Sequence, residues 1–445
     1  MFTARFFALT LLFPALLLLG TWLPFIVPIA VIYGLGLLAL LWLDRHYAGS
    51  VEQFRIERKH DNKLSLGVQN RIILRISLRA PRPVPITIRD EPPLLFVGAE
   101  SAILRSILVP HETTELVYQV RPLKRGNYSF GDLTIRWWGP LNFFIRQATI
   151  PASAPVKVYP NLHEIRKYDL LARRDQLSGM GLHNVRLRGE GTAFESLRDY
   201  TPDDPYKIIN WKATARRARP ISMDYEPERS QRVMIAVDVG RMMRSPIRVD
   251  DPDGDSWNMA KVDFVINSVL LFSYVATLKG DQVGLLIFAD QVQQYLAPRA
   301  GRAHFQQLLE MMYAVESQPV EADYGRALNY LGIQSKKRSL VVVFTDLSGS
   351  RASESLLMHM PRLLPRHLPL LVTIRDPVLD QETSHHPTTS DLVYRRAIAE
   401  QLNNERSLLL ENLLRRGVLT LDIAAEHLTM AVVNRYLQLK ARRLA

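Results

Sequence analysis

The sequence predicts a multidomain chain. It has an N-terminal transmembrane helical hairpin, then a β-sandwich, then an α/β domain on a Rossmann-like parallel sheet. Three observations predict it. Residues 6–23 and 24–43 are two apolar runs without a charge. Between about residues 46 and 160, short strand-length segments recur with Pro, Asn and Gly between them. From residue 232 onward, near-continuous apolar strands alternate with helical segments.

Each apolar run approaches the roughly 20 residues that cross a hydrocarbon core about 30 Å thick. Helices satisfy the backbone of two such short spans in lipid. The turn belongs near residues 20–24, where Gly20, Trp22 and Pro24 interrupt the leucines. Trp22 and Trp42 stand where aromatic belts form. The turn carries no Lys or Arg, whereas Arg5 and Arg45 flank the pair. The positive-inside rule therefore puts both ends in the cytoplasm. The expectation for residues 1–45 is a multi-pass anchor in an inner (cell) membrane, with the soluble body in the cytoplasm.

Residues 46–160 alternate or run apolar at strand length, in segments 71–79, 84–92, 114–122 and 133–138. Spacings of about 10–15 residues suit a small β-sandwich. Residues 123–132 read as a hairpin or tight loop between strands. No His cluster or spaced carboxylate pair appears there.

Residues 161–231 form a charged connecting segment. Lys207, Lys212, Arg216, Arg217 and Arg219 cluster around Trp211. Basic residues beside an aromatic can bind phosphate or nucleic acid. No phosphate-binding glycine loop or RNP-type motif accompanies them, and a loop and helix strapped by ion pairs is the preferred reading.

Residues 232–445 give strands at 232–239, 281–289, 339–347, 368–376 and 418–424. Helices are expected at 262–280, 303–315, 324–332, 353–364, 391–416 and 428–443. Such alternation implies a parallel sheet covered on both faces. Ligands of these sheets sit at the carboxyl ends of the strands. Asp238 and Asp346 end two of them. The acidic loop at 250–256 lacks the EF-hand spacing and reads as solvated.

Bulk properties fit this picture. The chain has 445 residues, formal charge +12, 47% hydrophobic and 22% charged residues, and no cysteine. Disulfides and thiolate metal sites are thereby excluded. The basic balance suits an anionic membrane surface, and nucleic acid is not the expected partner. No H-E-x-x-H, G-x-S-x-G or P-loop motif occurs, so no enzyme is expected.

The run FESLRDYTPDDPYKIINWKATARR at 194–217, followed by VMIAVDVG, resembles the signature of bacterial membrane proteins catalogued as domain of unknown function number 58. The resemblance extends to the anchor, the Arg125–Gly126–Tyr128 element and the sheet domain. It implies a von Willebrand A-like final domain and a MoxR-type AAA+ ATPase as partner. It marks Arg198, Tyr200, Asp204, Asn210, Trp211, Lys212 and Arg216 as signature or interaction residues.

Departures from the family pattern also matter. Asp203 and Pro205 stand where glycine and a second aspartate are usual. The metal motif Asp-x-Ser-x-Ser reads Asp238, Val239, Gly240, Arg241, Met242, so both serines are lost. The threonine expected before the GRAL helix appears as Ala322 or Asp323. Asp238, Asp346 and Ser348 remain as oxygen donors. They leave Mg²⁺ possible in an incomplete motif, or Arg241 could neutralise the carboxylates instead. The expected function is a membrane-anchored interaction protein working with the ATPase in chaperone-like or envelope-maturation work. The alternative is a metal-dependent enzyme using Asp238 and Asp346.

Overall fold

The computed structural model describes residues 2–98, 102–173, 193–201, 206, 209–226, 230–250, 256–347, 350–384, 387 and 389–442. They form two compact units, Met1–Tyr159 and Pro160–Ala445.

The first unit begins with two apolar helices, α1 (Ala4–Gly20) and α2 (Ile26–Tyr47). They run antiparallel. The Tyr33 hydroxyl donates to the Leu9 carbonyl at 2.9 Å, and Gly34 leaves room for the Phe13 ring. Their outer faces are bare. Leu11, Leu18 and Ile32 are each at least 70% exposed. Apolar surface on that scale calls for an apolar environment. α2, with 22 residues and mean hydropathy 2.4, is long and apolar enough to cross a membrane, while α1 is a shorter apolar helix. The chain is consistent with a membrane-associated protein.

Eleven strands among the described residues follow: β1 (Phe54–Lys59), β2 (Lys63–Ser65), β3 (Asn70–Leu78), β4 (Val84–Arg89), β5 (Phe96–Val97), β6 (Ile103–Leu108), β7 (Thr113–Pro122), β8 (Gly126–Phe130), β9 (Leu133–Trp138), β10 (Ile145–Ile150) and β11 (Ala154–Tyr159). They make a β-rich domain of three sheets, ordered β1-β3-β7-β5, β10-β9-β4-β6 and β2-β11-β8. Period-two burial builds its core. Ile72, Leu74, Ile76 and Leu78 of β3 point in, as do Ile86, Ile88, Leu133, Ile135 and Trp137. Residues 123–132 are not merely a turn. β8 runs through them and pairs antiparallel with β11. Phe130 is fully buried, and the alternation leading to it outweighs the Lys-Arg-Gly turn signal.

The chain ends of the helical pair are tied to the β9–β10 turn. The buried Asp44 carboxylate accepts from the amides of Leu141 (2.6 Å), Phe143 (2.9 Å) and Phe144 (2.8 Å). A Cβ at Gly139 would collide with that carboxylate, so the position suits glycine. The last carbonyls of α2 also find partners. Trp137 Nε1 donates to Ala48 O at 2.8 Å, and Arg82 donates to Tyr47 O. At the other end, Thr3 N donates to Phe143 O at 3.0 Å. Orphan carbonyls at a helix end need such partners.

The second unit contains α3 (Leu162–Arg173), β12 (Ala193–Asp199), α4 (Trp211–Arg217), β13 (Ile221–Glu226), β14 (Arg232–Asp238), β15 (Pro246–Asp250), β16 (Ser256–Ala260), α5 (Lys261–Leu278), β17 (Gln282–Phe288), β18 (Val292–Arg299), α6 (Arg302–Tyr313), α7 (Tyr324–Gln334), β19 (Leu340–Thr345), α8 (Ser350–His359), β20 (Leu368–Arg375), α9 (Pro377–Ser384), α10 (Ser390–Arg415), β21 (Leu419–Ala424) and α11 (Leu428–Ala441). Six strands form one sheet in the order β18-β17-β14-β19-β20-β21. All its pairs are parallel except β17–β18.

Both faces of the sheet are covered. Met234, Ala236, Val341 and Val343 pack with Leu328, Leu331, Leu356 and Leu413, while the alternate residues Val233, Ile235 and Val342 are equally buried. The Phe272 and Tyr436 rings join α5 to α11, 5.1 Å apart. α5 is apolar enough for a membrane span but is 72% buried, as a core helix is. Among the elements not visible in the sequence pattern are the edge strand β18, the β12–β13 pair and the β15–β16 ribbon. In β18 no residue is fully buried, so an apolar run never forms. The acidic residues 251–255 lie outside the described residues, as do Gly189–Gly191, Asp203, Asp204, Pro205, Lys207 and Ser348.

Candidate functional site

The parallel strands deliver four aspartates to their carboxyl ends. Asp238 closes β14, Asp346 follows β19, Asp376 follows β20, and Asp422 lies within β21. Two of these four end strands as the sequence suggested.

Asp238 is 2% exposed, and neutral donors surround it. Gly240 N–H donates to Oδ1 at 2.7 Å. Thr345 Oγ1 (2.6 Å) and the Tyr324 hydroxyl (3.0 Å) donate to Oδ2. Burial raises its pKa above the usual carboxylate range, these three hydrogen bonds pull it back in part, and nearby Asp346 pushes it up again. Burial, then Asp238, lifts Tyr324 well above an ordinary tyrosine, so it stays a donor.

Asp346 is held by a cation. Lys261 Nζ, the first residue of α5, stands 2.8 Å from Asp346 Oδ2 and 3.0 Å from Asp376 Oδ2. The Lys261 side chain is 2% exposed. Burial alone would lower its pKa, but Asp346 and then Asp376 raise it above the ordinary lysine value. Arg406 of α10 adds a second buried cation. It lies 3.7 Å from Asp346 Oδ1 and donates to Asp422 Oδ1 at 2.6 Å, to Thr373 Oγ1 at 2.9 Å and to the Ile374 carbonyl at 2.8 Å. Thr373 in turn donates to Asp422 at 2.7 Å.

This arrangement corrects one expectation. Arg241 does not neutralise the strand-end carboxylates. It forms an exposed pair with Glu321 at 2.9 Å. A long side chain just past the strand end reaches solvent more cheaply than the interior. Lys261 and Arg406 neutralise Asp346, Asp376 and Asp422 from helices remote in sequence, while neutral groups donate to Asp238.

The donor set does not fit a divalent cation. Mg²⁺ requires near-octahedral oxygen coordination at about 2.0–2.1 Å. Here an ammonium already bridges Asp346 and Asp376, and both oxygens of Asp238 accept from protein donors. Asp323 is also engaged, because its carboxylate caps α7 by accepting from Arg326 N at 2.9 Å. Among the described residues, no group of three or more His, Asp or Glu is arranged to hold a metal. Ser348 lies outside those residues.

The signature residues assemble elsewhere, on the β12–β13 pair and α4. Asn210 caps α4, accepting from Ala213 N at 3.0 Å. Thr214 Oγ1 accepts from Ile221 N at 3.1 Å, which ties the helix to β13. No residue of α4 is buried. Trp211 is 68% exposed and Tyr206 is 78% exposed. Lys212 and Arg216 are exposed on the same short helix. The Tyr200 and Tyr206 rings stack at 6.2 Å. Arg198 NH1 donates to the Asp199 carbonyl at 3.3 Å, and Arg219 pairs with Asp199 at 3.0 Å. Strapping by ion pairs is thus present at Arg219, while among the described residues Lys212, Arg216 and Arg217 of the basic helix are exposed. Asp204 lies outside the described residues.

Sequence reasoning missed Lys261, Arg406, Tyr324, Asp376 and Asp422. For Lys261 a signal existed: a cation at the first position of an apolar helix opposes the macrodipole and needs a reason. Asp376 ended a strand as visibly as Asp346 did.

Comparison with known proteins supports the resemblance. Residues 196–383 match the family described as "Protein of unknown function DUF58". The stretch includes α4, β14, Lys261 and Asp346, and excludes the helical pair. The uncharacterized protein YeaD of Bacillus subtilis (strain 168) is 25% identical over 210 residues, covering 46% of this chain and 50% of that protein. The chain thus spans about half the length of that curated relative. Among solved structures, BatB from Bacteroides thetaiotaomicron, a conserved hypothetical protein, aligns with 48% of this chain and 99% of its own. The TM-score is 0.31 at 10% identity. Native alpha-2-macroglobulin from Escherichia coli aligns with 26% of this chain and 17% of its own, with TM-score 0.22 and 18% identity. Such scores carry no argument about fold or function.

Proposed function

We propose that this chain is a membrane-anchored interaction protein that presents α4 to a partner protein. The carrying observation is the surface of α4: Trp211 is 68% exposed among Lys212, Arg216 and Arg217, on a helix with no buried residue. Trp, Tyr and Arg dominate interface hot spots, and a tryptophan left bare in a folded unit has an unspent apolar face. In this reading the helical pair is the anchor, and the charge pattern of Arg5 and Arg45 supports a body in the bacterial cytoplasm. In this reading the β-rich domain is a sandwich. The six-stranded sheet with its antiparallel edge is von Willebrand A-like. The family resemblance makes a MoxR-type AAA+ ATPase the partner, in chaperone-like or envelope-maturation work.

The metal-dependent enzyme stands second. Lys261 would have to leave two carboxylates before Asp346 could bind an ion, and burial favours neutral Asp238.

The test is co-purification of the tagged full-length chain from detergent. A MoxR-type ATPase should enrich near stoichiometry, and Trp211→Ala with Arg216→Glu should abolish it without changing the melting temperature. Enrichment equal in wild type and variant, or absent from both, overturns the proposal.

A further inference from the structure

Where α2 enters the β-rich domain, there is a cavity of about 570 Å³ lined in part by Arg45, Ser50, Trp137, Phe144, Arg146 and Gln147. That volume suits a small ligand or headgroup. Its position along α2 is defined. The apolar run stops at Leu43, and Trp42, 64% exposed, stacks on His46 at 5.3 Å. In the anchored reading this is the level of the lipid headgroups, where amphipathic rings collect.

Among the described residues its charge has no carboxylate partner. Arg45 stands 5.3 Å from the centre of the Phe144 ring. Arg146 donates to the Gly49 carbonyl. Among the described residues neither guanidinium is paired with a carboxylate. Asp44, the neighbouring acid, does not help. It is fully buried, with its oxygens turned to the backbone amides of Leu141, Phe143 and Phe144. Each guanidinium carries five N–H donors, so most of them are uncommitted. Gln147 Oε1 accepts from Arg136 Nε at 2.7 Å, which leaves its amide nitrogen to donate. The Trp137 and Phe144 rings supply an apolar wall.

Two planar donors, one of them over the Phe144 ring, are the chemistry that binds a phosphate bidentately. We propose that Arg45 and Arg146 form a site for the phosphodiester of an anionic phospholipid headgroup. The proposal rests on the anchored reading above. Free phosphate shares the chemistry, but the apolar wall and the adjoining membrane helix favour the lipid. Binding would orient the β-rich domain on the bilayer, because the ligand would touch both α2, through Arg45, and β10, through Arg146.

The experiment is native mass spectrometry of the full-length protein in detergent. Phosphatidylglycerol and phosphatidylcholine with the same acyl chains are added, with inorganic phosphate as a separate arm. Phosphatidylglycerol should be retained about tenfold over phosphatidylcholine, since each basic residue at a headgroup strengthens anionic binding several-fold. Arg45→Gln with Arg146→Gln should bring the two lipids to parity at an unchanged melting temperature. The Arg45→Lys, Arg146→Lys variant should keep an intermediate preference. Equal retention by the wild type overturns the site, as does a preference that survives the double Gln change. Retention of inorganic phosphate without phosphatidylglycerol overturns the lipid assignment. Liposome flotation separates the two readings. If the protein fails to float with any composition, the anchor fails. If it floats with all and shows no preference, only the headgroup site fails.

Discussion

The two ends of the parallel sheet each bury a lysine, and the two lysines respond in opposite directions. At the amino end, Lys440 of α11 stands 2.6 Å from Asp281, whose other oxygen accepts from the Tyr436 hydroxyl. Burial lowers the Lys440 pKa, and the single carboxylate does not make up the loss. At the carboxyl end, Lys261 faces two carboxylates, and its pKa rises. Both ammoniums are nearly inaccessible, at 2% and 5% exposure. Lys261 has a second carboxylate beside it, whereas the neighbouring Lys279 charge adds to the lowering at Lys440. One partner closes a balanced pair that fastens α11 to the sheet. Two partners make the lysine a hub, in the region where such sheets place ligands.

The largest effect should come from removing that hub. Lys261→Met removes the cation nearest Asp346 and leaves Arg406 at 3.7 Å, and a broken buried pair costs about 3–5 kcal/mol. Urea unfolding of the detergent-solubilised chain, followed by hydrogen exchange of β19 peptides, measures it. Asp346→Asn added to Lys261→Met should recover part of the loss, because residues in contact are not additive. If the double variant is as unstable as the sum of the singles, the two groups are not coupled and the hub description fails.

A smaller effect should appear at alkaline pH. The folded pKa of Lys261 lies above the ordinary 10.5, so its stabilisation is complete below 10.5 and is lost as pH rises through the folded value. Lys440 lies below 10.5 when folded. Between its folded value and 10.5 the unfolded chain binds more protons, so its contribution rises with pH. Lys261→Met should therefore flatten the alkaline loss of stability, and Lys440→Met should make it steeper. Matching pH profiles for the two variants would erase the contrast between the sheet's ends.

The contrast was half visible in the sequence. The buried strands β14, β17, β19 and β20 announce themselves as apolar runs, and the helices between them end at glycine or polar turns. Asp238 and Asp346 stand out because a carboxylate after such a run has few structural reasons to be there. Their cations do not. Lys261 is 85 residues from Asp346, and Arg406 is one charge among many on α10. Helical period places them on a face but cannot say which strand end that face meets. β18 was hidden because its residues stay partly exposed. The strand β8 was hidden because turn formers precede it. Local pattern reports what an element buries, and pairing across the fold is settled by packing.

The smallest expected effect tests which cation belongs to the site. Arg241 follows Asp238 closely in sequence and was the natural choice to neutralise it. The structure puts it in an exposed pair with Glu321, with side chains 58% and 56% exposed. Such pairs contribute about 0–1 kcal/mol and are screened by salt. Arg241→Ala should shift the stability of the second unit by less than about 1 kcal/mol, and the shift should vanish at high salt. Lys261→Met should keep most of its effect under the same conditions, because a buried pair is screened far less. A loss for Arg241→Ala as large as that for Lys261→Met would move the compensating charge back to the residue nearest in sequence. It would then undo the argument that α5, rather than the loop after β14, supplies it.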